Sequence, residues 1–340
     1  MGAHIFLVGE DNFEVCIRCG VYGCVMPSTE RNKAEVIASI FSIQPSDLVF
    51  FYVKNQGVYG VWKVVGEPYF DETKVWSNEH QLFPYRFSFE PIVGHFAIPV
   101  SLSDVLDLRD KGRVWTFDLN PVQQKNQYKI TSDEARELLR LLLRNNPIRQ
   151  SHSRTPDPYV PIRRGKIDVN LASTESGRVQ YEGWLNAWFT RSLARSELKE
   201  LLGDYREFLN LVPTTFNKVM DIFLTHVTTV DSVDVVYKYT CIELKADRAT
   251  DKDLTQILRY EDWLARKLAA GDKEMIQAVL VARRFSDGVT EYVKNRRRIE
   301  EKTVRLMTYS VTEDRQDIIL EEETTFPGPV LNTRTHKSSA

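Results

Sequence analysis

Four cysteines in 340 residues are too few to staple a disulfide scaffold, and three of them crowd into one stretch, CIRCGVYGC, as Cys16, Cys19 and Cys24. A C-x2-C pair with a third cysteine nearby supplies part of a zinc or iron–sulfur site. A closed site takes four ligands, however, and no histidine or cysteine close in sequence completes this one. Reduced thiols packed as small hydrophobes fit the stretch better. No apolar run approaches 18 residues, and Met1 to Glu10 has neither the basic region nor the long apolar core of a secretion signal. A cytoplasmic protein with no membrane partner is therefore expected. Neither sign of charge dominates: 45 Lys and Arg against 47 Asp and Glu leave a formal net charge of −2. That balance argues against a uniformly basic coat for nucleic acid, while an acidic metal site can still offset a basic groove elsewhere. No internal repeat is present.

What the chain does have is enough apolar residue, 42%, to build two cores of ordinary size. Residues 1–146 read as a small mixed α/β unit. Strand signals fall at HIFLV, Leu48 to Val53, Val58 to Val65 and YRFSF, with a helix at Arg31 to Phe41 and a closing helix in ITSDEARELLRLLLRNN capped by Thr131 or Ser132. From 147 to 171 periodicity disappears. Four prolines, with five Arg or Lys (Arg149, Arg154, Arg163, Arg164, Lys166) against one Asp between Arg149 and Lys166, mark a basic linker. Residues 172–323 then alternate helices with buried strands: a helix at Tyr181 to Leu193, two more helices through Leu224, a strand pair within 233–246, a long helix at Asp253 to Leu268, and strands at Met275 to Ala282 and Arg305 to Tyr309. Residues 324–340 read as a flexible tail. The expected fold class is α/β, as two α+β domains.

The stretch VDVVYKYTCIELKA is rich in strand formers yet carries Asp234, Glu243 and Lys245. By the period of two, Cys241, Glu243 and Lys245 share one face, which is either solvated or a site. Glu182 lies beside the apolar face of the 181–193 helix, and Gln256, Tyr260 and Trp263 follow one another on a single stripe of the 253–268 helix. Each has an ordinary explanation alone. Together they suit a hard divalent cation, Mg2+ or Mn2+, held by carboxylates against a phosphodiester, with a lysine to orient water and offset developing charge.

In this order, Glu182, Asp234, Glu243-x-Lys245 and Gln256 resemble the PD-(D/E)xK nuclease superfamily. The stretch IELKADRATDKDLTQILRYEDWL followed by AVLVARRF is similar, more narrowly, to NucS-type nuclease domains over roughly residues 175 to 310. The resemblance implies a restriction-endonuclease-like αβββαβ core, a metal held by Asp234, Glu243 and Glu182, and catalysis by these with Lys245 and Gln256. No proline precedes the first acid, and Asp231 competes with Asp234 for the ligand role.

A second resemblance covers about residues 3 to 120. AHIFLVGEDNFEVCIRCGVYG, FFYVKNQGVYGVWKVVG, KVW and YRFSF are similar to the YTH/EVE branch of the PUA-like fold, a barrel-type domain with helices that grips a modified base in an aromatic cage. The resemblance implies a pocket of Asn12, Tyr22 and Trp76, with Tyr22 where tryptophan is usual. Ordinary core packing is the other reading of the two rings. Joined, the halves imply an endonuclease acting on double-stranded DNA that carries a modified, methylated base, working as a monomer or homodimer. A mismatch or structure-specific repair nuclease and a non-catalytic reader are the alternatives. The run Arg296, Arg297 and Arg298 is a candidate DNA-binding stretch, or else a helix end paired with Glu300 and Glu301.

Overall fold

The computed structural model describes residues 2–76, 81–92, 96–117, 125–147, 154–172 and 177–323. Its first half runs β1 (Ala3–Val8), α1 (Glu10–Cys19), β2 (Val21–Cys24), α2 (Glu30–Phe41), β3 (Leu48–Val53), β4 (Gly57–Phe70), β5 (Tyr85–Pro91), α3 (Leu102–Asp110), β6 (Gln127–Ile130) and α4 (Ser132–Asn145). The second half runs α5 (Glu182–Ala194), α6 (Lys199–Leu202), β7 (Tyr205–Pro213), β8 (Val219–Val230), β9 (Val233–Leu244), β10 (Arg248–Ala249), α7 (Asp251–Leu268), β11 (Ile276–Ala282), β12 (Arg284–Phe285), α8 (Asp287–Glu300), β13 (Arg305–Val311) and β14 (Ile318–Glu322). This is the expected α/β class in two units.

The first sheet has the order β2-β5-β4-β3-β1-β6. Its interior strands β1 and β3 pair in parallel and are nearly all apolar, as strands covered on both faces must be. Two helices begin where hydroxyl caps predict. Thr29 accepts from Asn32 N ahead of α2, and Thr131 with Glu134 forms a complete capping box on α4. The cysteine stretch straddles α1 and β2. Cys16 and Cys19 face inward from the helix, and burial pushes the Cys16 and Cys24 thiols up to about 12, so both pack as neutral groups.

The second sheet has the order β14-β13-β11-β9-β8-β7, antiparallel from β7 to β9 and parallel from β9 through β11 to β13. Alternate residues of the same strands serve opposite faces: Cys241 packs with α7, Ile242 and Leu244 with α5. The elements α5, β7, β8, β9, α7 and β11 follow the expected αβββαβ order. Two expectations are corrected here. The two helices through Leu224 are one four-residue turn, α6, followed by the strands β7 and β8. The strand pair within 233–246 is a single strand, β9, whose antiparallel partner is β8. Asp231 and Ser232, both at positive φ between paired Val230 and Val233, make the two-residue turn between them.

One of the three hydrophobic clusters among the described residues runs through both halves. Helix α2 packs on α5, and the crossing needs Gly183, where a Cβ would come within 2.9 Å of the Ala34 Cβ. Asn210 Nδ2 donates to Ala38 O at 3.1 Å, and Trp115 meets the rings of Phe223 and Trp263. The described part of the linker is a packed strap. Asp157 N and Tyr159 N donate to Arg18 O and Cys19 O, and Gly165 exchanges both backbone bonds with Phe70. Arg149 and the 324–340 tail lie outside the described residues.

Candidate active site

The end of β9 carries Glu243 into the interior, only 2% exposed, where burial raises its pKa. Its Oε1 accepts from Lys245 Nζ at 2.7 Å and from Gln256 Nε2 at 2.7 Å. Gln256 is held in turn: its amide also donates to the Tyr260 hydroxyl at 2.7 Å, which donates to Val219 O at 2.9 Å. That stripe of α7 is the one the helical spacing predicted. The ladder holds Lys245 by its backbone, since Lys245 N donates to Val281 O at 2.8 Å. Its ammonium bridges Glu243 and Glu182, the latter at 3.4 Å from the first turn of α5. Burial alone would lower the pKa of Lys245, but Glu243, Asp221 and Glu182 hold it above its ordinary value.

The first acid of the site is Asp221, which the sequence reasoning missed. It sits on β8, one residue before Ile222, the register partner of Ile242, and its Oδ2 accepts from Leu244 N at 2.8 Å. Burial, then the charge of Glu243, push its carboxyl well above the usual range. Asp234 does not reach this place. Nine residues of strand separate it from Glu243, about 30 Å at strand rise. It is exposed, accepts from Thr229 Oγ1 at 2.7 Å and pairs with Arg206, contacts that hold its pKa below the ordinary value. Asp231 lies in the turn beyond it. Both are therefore corrected as ligands, because β9 is one long strand and its partner strand, not its own outer end, brings the second acid. A signal was available: VMDIFLTHVTTV is as rich in β-branched residues as β9 itself and mirrors it across Asp231-Ser232.

Among the described residues no three His, Cys, Asp or Glu side chains form a ready-made metal cluster. Lys245 stands between Glu243 and Glu182 instead. The donor chemistry nonetheless fits a hard cation. Glu243 Oε2 is buried with no hydrogen-bond partner, and burial followed by the charge of Glu243 raises the cost of ionising Asp221.

Glu182 and Asp221 line a cavity of about 780 Å3 between the halves, with Asn186 on the same side and Arg31, Lys125 and Lys129 across from them. Burial brings both lysines down to about 8.

Two of the three reader residues, Tyr22 and Trp76, are buried. Tyr22 is 5% exposed and packs on Phe6 at 4.5 Å and Phe87 at 5.6 Å. Trp76 is buried against Phe83, with the Arg86 guanidinium 5.4 Å from its ring centre. Gly23 of β2 points at Trp76, and Cys16 of α1 lies against Trp76 and close to Tyr22. Asn12 is half-buried on α1. The ordinary explanation of these aromatics, core packing, is the one met. An open aromatic pocket lies elsewhere in this half, about 310 Å3, walled by Phe13, Tyr59, Trp62 and Phe96 with Glu14 and Arg18 alongside.

The basic run is also corrected in part. Arg296 is buried, donating to Glu261 at 2.7 Å and Glu300 at 2.9 Å, so it ties α8 to α7 and faces no solvent. Arg297 is half-buried and Arg298 exposed on the same helix.

The family model for the EVE domain matches residues 30–141, so this segment carries an EVE domain. No curated protein matches the chain. Among solved structures, Rpa0253 from Rhodopseudomonas palustris is similar at 13% identity over 42% of this chain and 92% of that one, with a TM-score of 0.27. A Pseudomonas putida protein is similar at 14% over 42% and 99%, TM-score 0.28, and Atu2648 from Agrobacterium tumefaciens at 17% over 45% and 100%, TM-score 0.26. No helix among the described residues is long and apolar enough to cross a membrane.

Proposed function

We propose that this chain is a metal-dependent endodeoxyribonuclease, directed by its EVE domain to double-stranded DNA bearing a modified, methylated base. The observation that carries the proposal is the meeting of Asp221, Glu243, Lys245, Glu182 and Gln256 from four separate elements beside the cavity between the halves. A divalent cation, Mg2+ or Mn2+, held by Asp221 and Glu243 would supply Lewis-acid chemistry and make bound water a better nucleophile.

The chain's own groups do the rest. Lys245, which Glu243, Asp221 and Glu182 favour in its charged form, would orient the attacking water by hydrogen bonding and offset charge building on the phosphoryl oxygens. Gln256 fixes the rotamer of Glu243, and Tyr260 fixes Gln256. Glu182 holds Lys245 from the other side and faces the cavity where a strand would lie. In the first half of the chain, the open pocket shared by Phe13, ahead of the EVE segment, and Tyr59 and Trp62 within it offers a flipped base ring faces to stack on, a role the buried Tyr22 and Trp76 cannot take without unpacking.

The test is incubation with Mg2+ or Mn2+ and matched plasmids with and without base methylation. Cleavage of the modified plasmid, lost in Glu243→Ala with the fold intact by circular dichroism, supports the proposal. Wild-type turnover in Glu243→Ala, or no cleavage of any plasmid, overturns it.

A further inference from the structure

Beside Lys245 the structure gathers arginines that neither half's core uses. Strands β10 and β12 pair in parallel with Arg248 opposite Arg284, and both side chains are exposed. Adjacent strands set such partners about 4.8 Å apart at the backbone, and like charges directly opposite one another are unfavourable. Arg283 precedes Arg284, and its backbone N donates to Asp247 O at 2.9 Å. Its guanidinium lies beside Gly177, next to the exposed Arg178. Tyr309 ties the group together. Its hydroxyl donates to Ala246 O and accepts from Val179 N, and it feels the charges of both Arg283 and Arg178. Against these four guanidiniums stands Asp247, whose Oδ2 meets Arg284 at 3.4 Å. Arg248 ends the segment Ala246 to Arg248, which directly follows Lys245, and the other three arginines lie on segments bonded to it, Arg178 through Tyr309.

We infer that Arg178, Arg248, Arg283 and Arg284 form a phosphate-binding surface for duplex DNA, seating the backbone next to the scissile position. The inference rests on the nuclease reading for its location and not for its binding chemistry. Arginine is suited to it, because a planar fork of donors matches phosphate oxygens and stays charged at any working pH. The placement also has a structural logic. Both segments leave the ends of the parallel strands β9 and β11, so the charges are carried by the same ladder that positions Lys245.

The experiment measures binding of a fluorescent duplex by anisotropy without divalent cation, across a salt series. Each phosphate contact contributes about −0.9 to the slope of log K against log salt. The triple variant Arg248→Ala, Arg283→Ala, Arg284→Ala should weaken binding by roughly tenfold or more at moderate salt and flatten the slope by roughly two to three units. The corresponding triple lysine variant should keep most of the slope, which separates loss of charge from loss of fold. Arg136→Ala, on the exposed face of α4 where Arg136 pairs with Asp133, serves as a control with an unchanged slope. A wild-type slope in the triple alanine variant overturns the inference. Because no cleavage is read, that failure is distinct from failure of the nuclease proposal, which would appear as intact binding with no cutting in Mg2+.

Discussion

The two halves of β9 carry similar residues and do opposite things. From Tyr239 to Leu244 the strand is flanked by β8 and β11, and its acid, Glu243, is buried, hydrogen-bonded to Lys245 and Gln256, and hard to ionise. From Val233 to Tyr237 it pairs with β8 alone. There Val233, Val235, Val236 and Tyr237 are exposed, and the acid, Asp234, is held ionised by Thr229 and Arg206 at the surface. Residue type does not locate a site along a strand. What does is the number of neighbours that take the side chain out of water and bring other charges to it.

The comparison breaks most readily in the chemistry. Asp221→Ala should lower cleavage on the order of a thousandfold, the loss of a ligand to a catalytic cation, whereas Asp234→Ala should cut within about twofold of wild type. Equal losses measured on the same plasmid would mean that the outer half of β9 belongs to the site. A comparably large effect, on stability, is expected at Arg296. Arg296→Ala leaves Glu261 with Lys302 as its remaining ionic partner and should cost about 3–5 kcal/mol by denaturant unfolding. Arg298→Ala should stay within about 0.5 kcal/mol. Trp76→Ala should likewise cost about 3–5 kcal/mol as a core truncation. Tyr59→Ala should spare the fold and reduce the preference for modified over plain DNA by roughly tenfold, the loss of one stacking wall.

The smallest effect is on the pH dependence of the metal-free protein. Asp221 and Glu243 both bind a proton more readily folded than unfolded. Their contribution favours the fold below the ordinary carboxylate range, near pH 4, and is lost as pH rises through their raised folded values. Thermal stability should therefore fall with pH over that window. Asp221→Asn should flatten the curve and raise the melting temperature at neutral pH by a few degrees. A curve as steep as wild type would mean that Asp221 is not strained in the fold.

Much of this was legible in the sequence. Glu182, Glu243, Lys245 and Gln256 sit in segments of clear periodicity, so their faces could be read, and the structure brings all four together. The strand signal around Asp221 was masked because FLNLVPTTFNKVMDIFL also satisfies a helical spacing of apolar residues. Only the turn at Pro213 to Asn217, with Asn217 at positive φ, breaks it into two strands. The helix α1 was hidden in a similar way, since its cysteines drew attention to metal ligation and away from their shared face. Tyr22 and Trp76 show the complementary case: family order placed them as pocket walls, while their burial, at 5% and 4% exposed, is a property of the tertiary packing.

The central claim is that β8 and β9 together, and not β9 alone, build the cation site. Calorimetric titration of Mn2+ into protein free of nucleic acid tests it directly. Wild type and Asp234→Asn should bind with the same affinity, and Asp221→Asn should lose at least roughly tenfold, the removal of one charged ligand. Loss in Asp234→Asn with full binding retained in Asp221→Asn would contradict the account.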